Sequence, residues 1–357
     1  MKIEKILVQR LELPLKLPYK VSQRTHISFT PIVIRILSND LIEGWGEAYI
    51  SPGYTDETES GAIDFCKKAA HEFVGKDSIF MRDAIKKYAA QSPCAASALL
   101  NAIDMLENDT LLQVKEEIKI PLLAPCQGHE ESELRDEISE LLEQGFKTLK
   151  VKVGFDVKAD LDRVYMIQSI LNQRAMIRLD ANRAFTKEQG SLFASQIDPI
   201  GIELFEQPCG SSDWDSNAAV ALVSKVPVML DESIYNISDI DRASSMKGVG
   251  FVKLKLKKIG SLEMLHSALN RIRSLGMEPV LGDGVSMEIG CWMEACVART
   301  TITNAGEMNG FLKPKTKIFS NPLPFADGAI VLPVNYTPTI DESLFKKHMT
   351  HQEIFSV

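Results

Sequence analysis

The middle of the chain reads Arg178-Leu-Asp-Ala-Asn182, then Leu204-Phe-Glu-Gln-Pro208, then Met229-Leu-Asp-Glu-Ser233. In each stretch an apolar run ends in a carboxylate, and these acids are 26 and 25 residues apart, about one strand-loop-helix-loop unit. Equivalent strand ends of a parallel α/β barrel meet on one rim, where such enzymes keep their active sites. The pattern predicts that Asp180, Glu206 and Asp231 converge there and bind a hard divalent cation, Mg²⁺ or alternatively Mn²⁺.

Around this centre the chain divides into three predicted parts. Residues 1–120 are typical of an α+β capping domain, with strands at 3–13, 30–37 and 41–50 followed by three helices. Residues 121–325 alternate short strands and helices, which predicts a parallel (β/α)-barrel of modified TIM type, an α/β fold whose eighth strand, near 305–312, is degenerate. Residues 326–357 are expected to return to the capping domain. Between the first two strands, residues 14–29 are long for a simple loop, and loops of that length are often functional.

Composition narrows the class of protein. The net charge of −8 and the pI near 5.4 argue against nucleic acid or an anionic membrane as partner. The sequence contains no run of about 18 apolar residues, so no membrane span is predicted. The N-terminus alternates charged and apolar residues, which is typical of a strand and not of a signal peptide. The six cysteines lack CxxC spacing, so we expect reduced thiols and a cytoplasmic location.

Lysines flank the three acids in two strands with strict alternation. In residues 146–153, Lys150 and Lys152 share one face, and in residues 251–257, Lys253, Lys255 and Lys257 do so. The apolar faces should pack on the outer helices, so the lysines should point into the barrel. These lysines lie on the second and sixth barrel strands, opposite one another, with the acids on strands three to five between them.

This arrangement indicates metal-assisted removal of a proton. A substrate carboxylate bound to the cation would present its α-carbon to lysines on both faces, and the cation would stabilise the enediolate that forms. A lysine beside a cation and other ammonium groups could serve as a base near neutral pH.

The chain resembles the enolase superfamily, specifically its muconate lactonizing enzyme subgroup, which includes dipeptide epimerases, N-succinylamino acid racemases and o-succinylbenzoate synthases. The matching stretches, in order, are Leu149–Gly154, Leu179–Phe185, Phe205–Pro208, Leu230–Ser233 and Val252–Gly260. The resemblance implies that Asp180, Glu206 and Asp231 are metal ligands and that Lys152 and Lys255 are the acid/base pair. It also implies that Lys150 assists Lys152, and that the protein forms a homo-oligomer.

Departures from the family pattern concern the substrate. Residues 281–288 read Leu-Gly-Asp-Gly-Val-Ser-Met-Glu, and residues 306–313 replace the Asp-x-Asp pair with which dipeptide epimerases hold an ammonium group. Glu307 is the residue that could still hold one. The loop at residues 14–29, together with Tyr54, could cover the barrel mouth as a lid that sets substrate specificity. The predicted substrate contacts are Asn182, Asp283, Glu307, Tyr19, Arg24, His26 and Tyr54.

Three functions follow as hypotheses. The two lysines favour racemisation or epimerisation of an amino-acid derivative, a small-molecule carboxylate. The close rival uses one lysine as base and expels a β-substituent, which would make the protein a dehydratase. A barrel that only binds its ligand is the third.

Overall fold

The computed structural model describes residues 1–21, 24–51 and 54–357, and the side chain of Arg24, a predicted substrate contact, lies outside this description. The N-terminal part begins with five strands: β1 (Ile3–Leu11), β2 (Leu13–Val21), β3 (Arg24–Phe29), β4 (Ile32–Ser38) and β5 (Glu43–Ala48). Three helices follow: α1 (Glu59–Phe73), α2 (Ser78–Tyr88) and α3 (Pro93–Leu106). The third helix ends at Leu106, because Glu107 is its C-cap and Asn108 has a positive φ.

Helix α3 packs directly on β5, which leads to the predicted lid. A Cβ at Gly44 would lie 1.9 Å from the carbonyl oxygen of Ala102, and one at Gly46 would lie 2.0 Å from that of Ala98. Only glycine permits so close an approach of helix and strand backbones. The strand and the segment after it are therefore fixed against a buried helix.

The barrel begins after a short strand, β6 (Ile118–Pro121). Its parallel strands are β7 (Ala124–Cys126), β8 (Thr148–Lys152), β9 (Met176–Asp180), β10 (Ile202–Glu206), β11 (Val228–Leu230), β12 (Val249–Leu254) and β13 (Glu278–Leu281). The helices between and after them are α4 (Glu131–Glu143), α5 (Val157–Leu171), α6 (Lys187–Gln196), α7 (Trp214–Val223), α8 (Ile237–Ser244), α9 (Leu256–Ile259), α10 (Leu262–Ser274) and α11 (Glu288–Thr301). Each strand pairs with its sequence neighbour, which confirms the predicted parallel barrel architecture.

Residues 305–307 take the place of the eighth strand. Glu307 N donates to the carbonyl of Leu281 at the end of β13, at 2.9 Å, and Leu123 N donates to the carbonyl of Gly306, also at 2.9 Å. Only an isolated parallel bridge, Leu122 to Gly306, forms here, and Gly310–Leu312 is a 3₁₀ helix. The predicted degenerate strand is thus reduced to a few hydrogen bonds that close the ring.

The C-terminal segment contributes β14 (Phe325–Ala326), β15 (Ala329–Leu332), α12 (Glu342–His348) and β16 (Met349–Ser356). β15 pairs with β6, whereas β16 pairs along the whole of β1 in the order β16-β1-β4-β5. The return to the N-terminal sheet is thus made by β16, a strand that the sequence reading missed. The three-part division at residues 120 and 325 stays a prediction.

The segment 14–29 is not the loop that we predicted. Its described residues, 14–21 and 24–29, form the two-stranded ribbon of β2 and β3, with Tyr19 opposite His26. Alternation of Leu13, Leu15 and Leu17 was the signal for a strand, and Pro14 and Pro18 obscured it because proline is rare inside central strands. Across the described ranges, no helix combines the length and the apolar composition that crossing a membrane would require.

Candidate active site

The predicted acids and lysines meet at the carboxyl ends of the barrel strands. Lys152 is aligned with Asp180 across β8 and β9, and Asp180 with Glu206 across β9 and β10. Asp231 follows the last residue of β11, and Lys255 follows the last residue of β12. Because these strands are parallel and in register, neighbouring side chains on the inner face come within contact distance.

Ion pairs between β8, β9 and β10 form the first half of the site. Asp180 Oδ2 lies 2.8 Å from Lys150 Nζ and 2.6 Å from Lys152 Nζ, and Lys150 Nζ also lies 2.9 Å from Glu206 Oε2. Lys152 donates in addition to the side-chain oxygen of Asn182 in a short contact. Lys150 is buried, whereas the side chain of Lys152 keeps 35% of its surface exposed.

The second half of the site lies on β11 and β12. Lys255 Nζ is 2.7 Å from Asp231 Oδ2, and Lys253 Nζ is 3.1 Å from Glu206 Oε1. The hydroxyl of Tyr54 contacts both Lys255 Nζ and Asp231 Oδ1 in short hydrogen bonds. Glu206 therefore connects the two halves, because it contacts a lysine from each.

Burial and ion pairing oppose each other in this cluster. Burial raises the pKa of a carboxyl group, but Lys150 and Lys152 hold the pKa of Asp180 at about 2, and Lys255 and Lys253 hold the pKa of Asp231 well below its usual range. Burial also lowers the pKa of an ammonium, yet Asp180, Glu206 and Glu307 raise the pKa of Lys150 well above its usual value. Asp180, Asp231 and Lys150 are thus held in their charged forms, whereas burial and the neighbouring Asp180 raise the pKa of Glu206.

The donor set suits a hard divalent cation. Asp180, Glu206 and Asp231 supply carboxylate oxygens from three successive strand ends, and the buried Glu206 Oε2 has the ammonium of Lys150 at 2.9 Å as its partner. In the described residues, no three His, Cys, Asp or Glu side chains are gathered closely enough to hold a metal ion as they stand, and lysine ammonium groups bridge neighbouring acids instead. A bound cation would take over oxygens that now pair with these lysines.

Backbone strain marks the turns after two of the acid-bearing strands. Asn182, Arg183 and Gln207 have positive φ values of 43°, 72° and 37°, a region that non-glycine residues rarely adopt. Gln207 is held by its own side chain, whose Oε1 accepts from the backbone N–H groups of Asp231 and Ser233. The side chain of Gln207 therefore ties the end of β10 to the residues that follow β11.

A cavity of about 620 Å³ opens beside Lys152. The residues around it include Tyr19, Thr25, Gln127, His129, Lys150, Lys152, Phe155, Arg163, Asn182, Glu307 and Asn309. Among the described residues, its charged side chains are therefore three cations, Lys150, Lys152 and Arg163, and one anion, Glu307. Arg163 donates to the carbonyls of Cys126, Gly128 and Lys152, so its charge is held against the backbone of β7 and β8.

Glu307 and Asn309 form one wall of this cavity, and both are already engaged. Glu307 lies 2.9 Å from Lys150 Nζ and makes a short contact with Lys253. Asn309 accepts from Lys313 Nζ at 2.7 Å and donates to the carbonyl of Leu123 at 2.9 Å. The ammonium of Lys313 also lies 4.4 Å from the ring centroid of Tyr19.

The remaining predicted contacts lie farther around the rim. Asp283 lies 2.6 Å from Lys257 Nζ, so these two side chains form an ion pair with each other. Tyr49 Oη is 3.0 Å from His26 Nδ1, so His26 of β3 packs on Tyr49, the residue that follows β5. Tyr54 lies directly on the Lys255 half of the site.

Sequence reasoning missed several residues of the site. Lys258 donates to the carbonyl of Asp231 at 2.9 Å, and burial lowers its pKa to about 8. Glu232 accepts from the side-chain amide of Asn182 at 3.2 Å, and burial raises its pKa to about 7. Lys258 lies within the short helix α9, where strand parity no longer applies, so no periodic signal could have identified it.

Comparison with known proteins agrees with this geometry. The family model described as "Enolase C-terminal domain-like" matches residues 133–336. The L-Ala-D/L-Glu epimerase of Bacillus subtilis is 24% identical over 354 residues, covering 93% of this chain and 95% of its own. The o-succinylbenzoate synthase of Listeria innocua is 25% identical over 316 residues, covering 85% and 81%.

Solved structures match the whole architecture. The N-succinyl Arg/Lys racemase of Bacillus cereus has a TM-score of 0.89 at 20% identity, over 99% of this chain and all of that one. The muconate lactonizing enzyme of Pseudomonas fluorescens has a TM-score of 0.86 at 22% identity, over 98% and 99%. A dipeptide epimerase of Cytophaga hutchinsonii, solved with Mg and the dipeptide D-Ala-L-Val, has a TM-score of 0.89 at 18% identity over both full chains.

The barrel agrees with the match to the family model, and the solved structures that cover the whole chain include the N-terminal module. The chain belongs to the enolase C-terminal domain-like family, and it is similar to proteins named as epimerases, racemases and an o-succinylbenzoate synthase.

Proposed function

We propose that this protein is an isomerase that racemises or epimerises an amino-acid derivative by moving the proton α to a carboxylate. The observation that carries the proposal is the pair of lysines on opposite strands, Lys152 on β8 and Lys255 after β12, with the acids of β9 to β11 between them. Relatives named as epimerases and racemases support the same reaction class.

Each residue has a role in the proposal. Lys152 and Lys255 take and return the α-proton on opposite faces of the substrate, and Lys150, which contacts the acids and Glu307, keeps a positive charge beside the carboxylate. Asp180, Glu206 and Asp231 would hold Mg²⁺, or Mn²⁺ in its place, and this ion would stabilise negative charge on the substrate carboxylate.

Charge in the cavity bears on the class of derivative. Among the described residues, three cationic side chains line it. Lys150 and Lys152 pair with Asp180, and Glu307 pairs with Lys150 and Lys253. The third cation, Arg163, donates to backbone carbonyls. An α-ammonium group placed beside Arg163 would meet like charge, whereas an N-acyl group with an anionic arm would meet complementary charge. We therefore favour N-acyl amino acids over dipeptides with a free amine.

The test is proton NMR of the purified protein with Mg²⁺ in D₂O. Substrates are N-acyl amino acids, dipeptides, hydroxyprolines and proline betaines, supplied as single stereoisomers. Loss of the α-proton signal with formation of the opposite isomer is the expected result, and it should stop when a chelator removes the metal. Absence of exchange with every substrate, in the presence of demonstrated Mg²⁺ binding, would contradict the proposal.

Elimination is the second candidate, because only Lys152 lines the cavity while Lys255 lies under Tyr54. A dehydratase needs one base to remove the α-proton before the β-substituent leaves, and one relative is named as an o-succinylbenzoate synthase. New vinylic or keto-acid signals in the same NMR experiment, with loss of water, would identify this reaction in place of racemisation.

A further inference from the structure

Tyr54 covers one of the two candidate bases and leaves the other open. Its hydroxyl contacts Lys255 Nζ and Asp231 Oδ1, and Lys255 Nζ lies only 3.9 Å from the centroid of its ring. As a result, the side chain of Lys255 is 9% exposed, compared with 35% for Lys152. One aromatic side chain thus supplies both a hydrogen-bond partner and a cover for the Lys255 ammonium.

Two further barrel residues, Tyr235 and Lys258, contact Tyr54 and hold it in this position. Tyr235 donates its hydroxyl to the carbonyl of Tyr54 at 2.6 Å. The ammonium of Lys258 lies 5.0 Å from the ring centroid of Tyr54 and 4.5 Å from that of Tyr235, and it donates to the hydroxyl of Tyr54 at 3.3 Å. A cation between two aromatic rings is an attractive arrangement. Tyr54 is therefore fixed by several specific contacts between the N-terminal part and the barrel.

Lys152 is positioned differently. Its ammonium donates to Asp180 and Asn182, which both belong to the barrel, and it borders the cavity. The two bases therefore differ in which part of the chain sets their geometry: Lys152 is placed by strand neighbours, and Lys255 is placed in addition by a residue from the N-terminal part.

We propose that Tyr54 is a positioning residue for Lys255, and so acts on only one of the two directions of proton transfer. This inference rests on the proposed racemase function. A general base must be held within hydrogen-bond reach of the proton that it removes, so losing a partner that fixes the ammonium slows the transfer by that base. The other base, whose described hydrogen bonds go to the barrel residues Asp180 and Asn182, keeps its rate.

The first experiment measures α-proton exchange in D₂O from each stereoisomer separately. Lys152→Ala and Lys255→Ala first establish which isomer depends on which lysine. Tyr54→Phe, which keeps the ring and removes the hydroxyl, should then lower the Lys255-dependent exchange rate roughly 10- to 100-fold, the usual value of a hydrogen bond to a charged group. The Lys152-dependent rate should stay within about twofold.

Tyr165→Phe is the matched control. Tyr165 donates its hydroxyl to the carbonyl of Gln196 on the outer helices, so its loss removes a comparable hydrogen bond away from the site. Both exchange rates should be unchanged in this variant. Equal loss of both rates in Tyr54→Phe, or loss of neither, would overturn the inference. A general weakening of the metal site, through the contact with Asp231, would produce the equal loss.

A second experiment does not need a substrate. Limited acetylation of the full-length protein with acetic anhydride, followed by mass spectrometry, compares the reactivity of the two lysines. Lys152 should react first in the wild type. Tyr54→Ala should raise the reactivity of Lys255 at least about tenfold, whereas Tyr54→Phe, which retains the ring, should leave Lys255 protected.

The two experiments distinguish failure of the racemase proposal from failure of the inference about Tyr54. If the wild type exchanges no α-proton from any substrate, the racemase proposal fails, and the acetylation result alone decides the role of Tyr54. If Lys152 and Lys255 react equally in the wild type, Tyr54 does not cover Lys255 in solution, and this inference fails whatever the reaction is.

Discussion

The two halves of the rim carry the same kinds of residue in different surroundings. On β8 and β9, Lys152 borders the cavity, and the contacts described for Lys152 and the buried Asp180 are to barrel residues. On β11 and β12, Asp231 and Lys255 carry the same charges but lie beneath Tyr54 from the N-terminal part. Strand parity treats the two lysines as equivalent, and the tertiary structure makes them unequal. The predictions below test how far this inequality extends to function.

Removal of either lysine should have the largest effect. Lys152→Ala and Lys255→Ala should each abolish racemisation, and each should lower α-proton exchange from one stereoisomer by roughly 10²- to 10⁴-fold, the usual contribution of a general base. Exchange from the opposite isomer should survive in each variant. NMR in D₂O measures both rates, and full racemase activity in both variants would rule out the two-base scheme.

Loss of one acid from either half should have the next largest effect. Asp180→Asn on the open half and Asp231→Asn on the covered half should each weaken Mg²⁺ binding by more than the roughly 10- to 100-fold that an outer-shell partner contributes. Isothermal titration calorimetry measures this affinity without a substrate.

Circular dichroism is the control for these two variants, since removing one partner of a buried ion pair costs about 3–5 kcal/mol of stability. A folded Asp231→Asn protein with unchanged Mg²⁺ affinity would show that the covered half does not belong to the metal site. The two halves would then differ in function as well as in exposure.

A change of charge in the open half should alter substrate preference modestly. The double variant Asn309→Asp with Lys313→Met places an unpaired carboxylate on the cavity wall. It should raise the rate with a free-amine dipeptide, relative to an N-acyl amino acid, by about fivefold, the value of an ion pair of ~1 kcal/mol.

Asn309→Asp alone is the matched control for this variant, because Lys313 lies 2.7 Å from Asn309 Oδ1 in the wild type and would neutralise the new charge. The single variant should therefore shift the ratio of rates less than the double variant does. Competition assays with both substrates measure this ratio, and a double variant that favours the N-acyl substrate further would contradict the assignment of the cavity.

The smallest effect concerns the contact between the N-terminal part, which supplies Tyr54, and the barrel. Glu47 on β5 accepts from Met287 N at 2.5 Å at the start of α11, and burial raises its pKa to about 8. With an ordinary pKa of 4.5 in the unfolded chain, this group contributes stability that is full below pH 4.5 and lost as the pH rises through 8.

Glu47→Gln should remove this pH dependence, because an amide does not ionise in this range. Relative to the variant, the wild type should lose on the order of 1 kcal/mol of unfolding free energy between pH 5 and 8. This loss is smaller than the full pKa shift implies, because the backbone N–H donors stabilise the ionised carboxylate in the folded state. Urea denaturation at several pH values measures it. A parallel pH dependence in both proteins would contradict the assignment.

The sequence by itself determined the parallel barrel, the three acids at strand ends and the inward lysines. Those features depend on local periodicity, since strand parity and the spacing of βα units are set within about 30 residues. It also indicated the family, because five short motifs occur in order. The eighth strand was predicted only as degenerate, and the structure reduces it to a few hydrogen bonds around Gly306.

Only the tertiary structure decided which charges meet. Glu307 is 157 residues from Lys150, and Tyr54 is 201 residues from Lys255, yet both pairs are in contact. The β2–β3 ribbon, the pairing of β16 with β1 and the position of Lys258 depend in the same way on distant partners. Local patterns carry no record of such contacts, because burial and pairing between remote segments arise only when the whole chain packs. The inequality of Lys152 and Lys255 is therefore a property of the fold.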